Sequence, residues 1–188
     1  LTSPADTVYP GVPRILRFDS VQAYHDLVSA VDLEETELQE FLQNNHYFAN
    51  GIQTKDDILR LKNMLSPVQF PSFKNKGPTD FRVYTDYNSI FLRYHVDSER
   101  TFQFRIYMDA KTRKDELATV MFNRSSQSSA LSADKYTFRL LSSQNTENAC
   151  VSSYLADVEG YCIKFEVIDA TYGNPDEYLQ SIRFNPLG

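Results

Sequence analysis

A chain of 188 residues with a formal net charge of -6, 41% apolar residues, twelve Tyr, thirteen Phe and no Trp is long enough to bury a core without a disulfide or metal to hold it together. It is too acidic to bind nucleic acid through its overall field, because that mode of binding needs dense Lys and Arg to displace counterions. No run approaches the roughly 20 consecutive apolar residues of a transmembrane helix, and two cysteines with the scattered His25, His46 and His95 offer no ligand spacing for zinc.

The first thirteen residues carry Pro4, Pro10 and Pro13 among small and polar neighbours, so residues 1–13 are expected to form a flexible linker. The start LTSPADTVYP has no initiating Met and no charged or apolar leader region, and a trimmed N-terminus is expected. Residues 14–188 then form a single domain, helical over 14–66 and sheet over 79–188.

In FDSVQAYHDLVSAV, Asp19 or Ser20 caps a helix over 20–31 whose apolar stripe is Val21, Tyr24, Leu27, Val28 and Val31. EETELQEFLQNN places Leu38, Phe41 and Leu42 on one face, with carboxylates in the first turn where the helix dipole favours them. TKDDILRLKNML predicts a third helix over 55–65, opened by Thr54 with Asp57 and stopped by Pro67. Pro71, Gly77 and Pro78 mark a loop.

From Thr79 the apolar period becomes two. Phe81 and Val83, then Ile90, Leu92, Tyr94 and Val96, then Phe102, Phe104, Ile106 and Met108 point inward from three hairpin-linked strands. KTRKDELATVMFNR fits a helix through Leu117, Val120 and Met121, and SSQSSALSAD reads as a loop. KYTFRLL returns to strand with Tyr136, Phe138 and Leu140 inward, ACVSSYLADVEGYCIKFEV supplies two more strands, and GNPDEYLQSIRF predicts a short closing helix with Asn174 as cap and Pro175 in its first turn. The fold class is α+β: N-terminal helices packed on a curved antiparallel sheet of about five or six strands, with a short C-terminal helix.

Asp157 and Gly160 fix a hairpin turn at Val158 and Glu159, which pairs Cys162 with Leu155 and Cys150 with Val167. That register sets the cysteines on opposite faces of the sheet and predicts no disulfide. Tyr154, Ala156, Tyr161, Ile163, Phe165 and Val167 share the core face with Cys150, and Ser153, Cys162, Lys164 and Glu166 lie on the wet one.

There is no G-x-S-x-G elbow, glycine-rich phosphate loop, H-E-x-x-H or kinase set in the sequence. The acidic pairs Glu34/Glu35, Asp56/Asp57 and Asp176/Glu177 fall in first helical turns, where capping explains them. No catalytic residue, cofactor or metal ligand is assigned. The outward strand positions instead collect Arg82, Tyr84, Phe91, Arg93, His95, Gln103, Arg105, Tyr107, Thr137, Arg139, Lys164 and Glu166. Of these, Arg82, Tyr84, Arg93, His95, Arg105, Tyr107 and Arg139 are the candidate ligand-binding residues, since guanidinium groups interleaved with rings suit an anionic or sugar-like ligand. If helices covered this face, the arginines would need carboxylate partners there and the site would disappear.

RFDSVQAYHDLV followed by FRVYTDYNSIFLRYHV, and VEGYCIKFEVI leading to PDEYLQSIRF, resemble uncharacterised extracytoplasmic, lipoprotein-type proteins of Gram-positive gut bacteria. The resemblance implies a secreted or cell-surface location, with a lipid anchor upstream of Leu1, and no activity. The reading that follows is a non-catalytic extracytoplasmic module binding a glycan, cell-wall or protein partner. Its alternatives are a hydrolase or transferase with a site assembled from distant residues, His95 serving as base, and a purely structural or protein-interaction domain.

Overall fold

The computed structural model describes residues 14–85, 89–108, 130–174 and 176–188. In chain order these form β1 (Ile15–Phe18), α1 (Val21–Ser29), α2 (Glu35–Asn44), α3 (Lys55–Leu65), β2 (Gln69–Phe73), β3 (Asp80–Tyr84), β4 (Ser89–His95), β5 (Arg100–Tyr107), β6 (Ala130–Ala133), β7 (Tyr136–Asn145), β8 (Cys150–Val158), β9 (Tyr161–Asp169), α4 (Asp176–Leu179) and β10 (Ile182–Pro186). Eight strands make one antiparallel sheet in the order β1-β3-β4-β5-β9-β8-β7-β6, and β2 pairs with β10 in a second, two-stranded sheet.

The expected α+β arrangement of N-terminal helices on five or six strands is thereby overturned. The fold is mostly β, with four short helices among the described residues as a minor part. Four strands give no alternating signal in sequence. β1 is four residues long in what reads as a lead-in. β2 contains Pro71, tolerated because a two-stranded sheet has only edge strands. β6 emerges from the Ser-rich stretch, and β10 occupies the end of the segment expected to be helical. The linker over 1–13, the helix through Leu117, Val120 and Met121, and the position of Pro175 lie outside the described residues.

Where the apolar pattern is regular, local structure follows it. Ser20 caps α1 by accepting a hydrogen bond from the Ala23 amide at 3.2 Å, and the helix buries Tyr24 and Leu27. Thr54 and Asp57 form a reciprocal capping box on α3 (3.2 and 3.0 Å), which buries Ile58, Leu61 and Leu65. Helices meet the large sheet at its β1 end, where the rings of Phe18, Tyr24 and Phe81 are in mutual contact.

Much of the rest of the inner face lies under the small sheet. Phe70 contacts Phe81, Phe73 contacts Phe102, and Phe184 contacts both Tyr136 and Phe138. The buried hydroxyl of Tyr94 donates to the carbonyl of Pro71, and burial pushes its pKa up. Phe104 stacks on Phe165 at 4.5 Å between centroids. Asp134, in the turn between β6 and β7, accepts the amide of Phe184 at 3.1 Å and ties the two sheets together. These contacts join one continuous core from Leu16 to Leu187. A buried lock secures α4 to its edge: Asp169 accepts from the Thr171 amide and hydroxyl (2.8 and 2.6 Å) and from Tyr178 (3.0 Å), with Arg100 Nε 3.6 Å away.

The hairpin of β8 and β9 turns at Glu159 and Gly160, with φ of 50° and 89°, and pairs Val158 with Tyr161. Two successive left-handed residues match the twist of the flanking strands, so the turn lies one residue beyond the expected position. Cys162 consequently faces Asp157 and Cys150 faces Asp169. A shift of two in the pairing sum preserves the face of every side chain. Neither cysteine forms a disulfide, as expected, Cys162 being fully buried and Cys150 partly so. In β7 the register slips between Leu140 and Ser142, leaving Leu141 as the extra residue of a bulge.

Candidate functional site

The helices and the small sheet take the inner face, so the outward set of arginines stays on the opposite one. Strand register then arranges that set more specifically than alternation alone would. Arg17 on β1 lies opposite Arg82, Arg82 opposite Phe91, Phe91 opposite Arg105, Arg105 opposite Lys164, Lys164 opposite Leu155, and Leu155 opposite Arg139. One transverse row therefore crosses seven strands and carries five cations.

Phe91 is the centre of its β3–β5 end. Three guanidinium carbons lie over its ring, those of Arg82, Arg93 and Arg105 at 5.5, 5.2 and 5.3 Å from the centroid, and leave it only 8% exposed. Arg105 also lies 5.2 Å from the centroid of Tyr84. Asp80, two residues before Arg82 on the same face, takes a bidentate pair of hydrogen bonds from Arg82 Nε and Nη2 (3.0 and 2.7 Å) and sits 3.6 Å from Arg93. Hydrogen bonding to Asp80 and to Tyr84 raises the Arg82 pKa further above its already high ordinary value.

Arg105 and Lys164 differ. They are directly opposed, and among the described residues neither has a carboxylate within 4.0 Å. A shallow hollow of about 140 Å³ lies beside them, lined by Phe91, Gln103, Tyr107 and Glu166 as well. Glu166 accepts a hydrogen bond from Ser153 at 3.4 Å.

The structure thus brings Arg82, Tyr84, Arg93, Arg105 and Tyr107 into one patch. Arg139 shares their face but stands two strands beyond Lys164. His95 lies at the far end of β4, exposed, its Nδ1 3.4 Å from the Thr101 hydroxyl. His95 lines none of the described clefts. Two residues that organise the patch were missed. Arg17 is invisible unless β1 is recognised, whereas Asp80 could have been found from its i, i+2 relation to Arg82 in a strand. The face is also less wet than expected: Leu155 and Cys162 are buried on it together with Phe91. The row seats Leu155 between Lys164 and Arg139, whose aliphatic stems are long enough to cover it.

A larger polar cleft of about 590 Å³ beside β1 includes Asn45 and Asn50, whose amides are already used on the carbonyls of Phe41 and His46 (2.8 Å each). Among the described residues no group of three or more His, Cys, Asp and Glu side chains is placed to hold a metal ion, and no helix is long and apolar enough to cross a membrane. The chain matches no protein-family model, and comparison with curated proteins and with solved structures gives no match.

Proposed function

We propose that this chain is a non-catalytic, extracytoplasmic binding module whose ligand carries negative charge and lies on the outward face of the large sheet. The observation that supports this best is the opposed pair Arg105 and Lys164 beside a small hollow, in a chain whose net charge is -6. Like charges placed directly across a strand pair destabilise a sheet. An anion bound between the two would remove that cost. Asp80 offsets one of the two charges of the neighbouring Arg82 and Arg93, whereas Arg105 and Lys164 have no carboxylate within 4.0 Å among the described residues. The extracytoplasmic location rests on the resemblance of the two sequence stretches given above.

The hollow is well below the roughly 300 Å³ at which pockets begin to enclose a drug-sized molecule, so the ligand rests on the face. Charge-assisted hydrogen bonds contribute about 1.5–3 kcal/mol each. Titration calorimetry of the purified protein against acidic and neutral oligosaccharides should show saturable binding of the acidic ones. Binding should weaken as salt rises, and the Arg105→Ser/Lys164→Ser protein should lose it at least tenfold while still unfolding in a single cooperative transition. Equal binding by wild type and double variant rejects the face. Protease shaving of intact cells tests the location: protection of the chain until lysis contradicts it.

A further inference from the structure

We infer that the ligand of this face is an unbranched acidic glycan, with a carboxylate on successive sugar rings, lying across the strands along the row from Arg17 to Arg139. This inference rests on the binding role proposed above and assigns it a polymer, a direction and a length. Hydrogen-bonded strands are 4.7–4.9 Å apart, so six steps between seven strands span roughly 29 Å. A chain of six-membered sugar rings advances by a similar length per residue, and about six rings cover the row.

The charge pattern along the row is what a linear anion matches. Its cations occupy the first, second, fourth, fifth and seventh strands, and two adjacent pairs, Arg17 with Arg82 and Arg105 with Lys164, oppose like charge to like. Only Arg82 among these five has a carboxylate partner among the described residues. Phe91 and Leu155, at the third and sixth strands, are buried beneath the flanking side chains, so the surface of the row is formed by its cations. The hollow of about 140 Å³ has room for one carboxylate-bearing ring edge, leaving the rest of any longer chain on the surface.

The next row along the strands separates a glycan from other polyanions. There Asp80, Arg93, Gln103, Glu166, Ser153 and Ser142 face one another in register. Gln103, Ser153 and Ser142 of that row can exchange hydrogen bonds with sugar hydroxyls, groups that a polyphosphate chain lacks. A pyranose acid presents both groups from each ring: its carboxylate to the cationic row and its hydroxyls to the neighbouring one. Nucleic acid is disfavoured on two further grounds. The chain lacks the positive field that drives such binding, and Phe91 is roofed by guanidinium groups, so it offers no platform for base stacking.

Titration calorimetry with oligogalacturonates of one to eight residues, their methyl esters, inorganic polyphosphate and single-stranded DNA tests the inference. Affinity should climb with oligogalacturonate length and level off near six residues, and esterification should lower it at least tenfold. In Arg139→Ser the plateau should move to chains about two residues shorter, with trimer affinity unchanged. A monomer that binds as tightly as the hexamer overturns the polymer and leaves a single-anion site standing. Polyphosphate or DNA binding more tightly than the hexamer overturns the glycan. No binding of any acidic probe overturns both this inference and the binding role beneath it.

Discussion

Asp169→Asn is the substitution whose effect follows most directly from the geometry. The carboxylate is 2% exposed and receives three hydrogen bonds at 2.6–3.0 Å, two from Thr171 and one from Tyr178, with Arg100 Nε at 3.6 Å. An amide keeps one acceptor oxygen, turns two donors toward existing donors and removes the charge facing Arg100. Leaving the donors of a buried carboxylate unpaired costs about 1–3 kcal/mol each, and because Arg100 is partly exposed and keeps Asp97 at 3.0 Å its own share is small, so about 3 kcal/mol in all is expected. For a chain of this size each kcal/mol moves the melting temperature by about 2–4 °C, so a fall of roughly 6–12 °C is expected by calorimetry. Asp97→Asn, at the more exposed end of the same cluster, should change stability by less than about 1 kcal/mol. The acid limb gives a second reading. Burial alone would raise the Asp169 pKa, but the bonds from Thr171 and Tyr178 and the charge of Arg100 outweigh it and hold the value below that of a free aspartate. Its contribution is therefore complete above the unfolded value of about 3.9 and is lost as pH falls through the folded value. The gap between wild type and Asp169→Asn should narrow in that acidic window. A stability loss under about 1 kcal/mol at neutral pH, or a gap that stays constant into acid, would refute the reasoning.

Three further outcomes are expected. Gly160→Ala meets nothing within 4 Å of the added carbon but must adopt φ near +89°; it should cost about 1 kcal/mol in urea unfolding, purely from the backbone. Asp80→Asn frees Arg82 and Arg93 from their internal counter-ion, and sulfate or acidic-oligosaccharide affinity should rise several-fold in calorimetry, a fall counting against the assigned role of Asp80. Thiol titration of the native protein should label Cys150 and leave the fully buried Cys162 unreactive until urea is added; a reading of zero after unfolding would mean the sulfurs are joined.

Regular patterns gave α1, α3 and the β3–β5 meander from sequence because their stabilising contacts repeat along a single element. The Thr54–Asp57 capping box and the buried series Phe81, Val83, Ile90, Leu92, Phe102, Phe104 and Ile106 are local in this sense. The strands β1, β2, β6 and β10 are stabilised by what lies across from them: Leu16 by Val83, Pro71 by Phe184, Leu131 by Phe138. Nothing within those short segments announces the pairing. The same distinction governs the site. Alternation put Arg82, Arg93 and Arg105 on one face, but the transverse row needs the pairing register of all seven strands. The hairpin at Glu159 and Gly160 shows how little suffices to move a register, since one turn position changed the cross-hairpin partners of Cys150 and Cys162 while leaving each on its predicted face.

The pairing of β2 with β10 has a consequence for biosynthesis. A ribosome extrudes β2 early, yet that strand has no mate until Ile182–Pro186 has been translated. Phe138 and Tyr136, which rest on Phe184, stay uncovered through that interval. A nascent chain halted before β10 therefore displays a sticky aromatic floor, and it is the form of this protein that holdase chaperones should recognise.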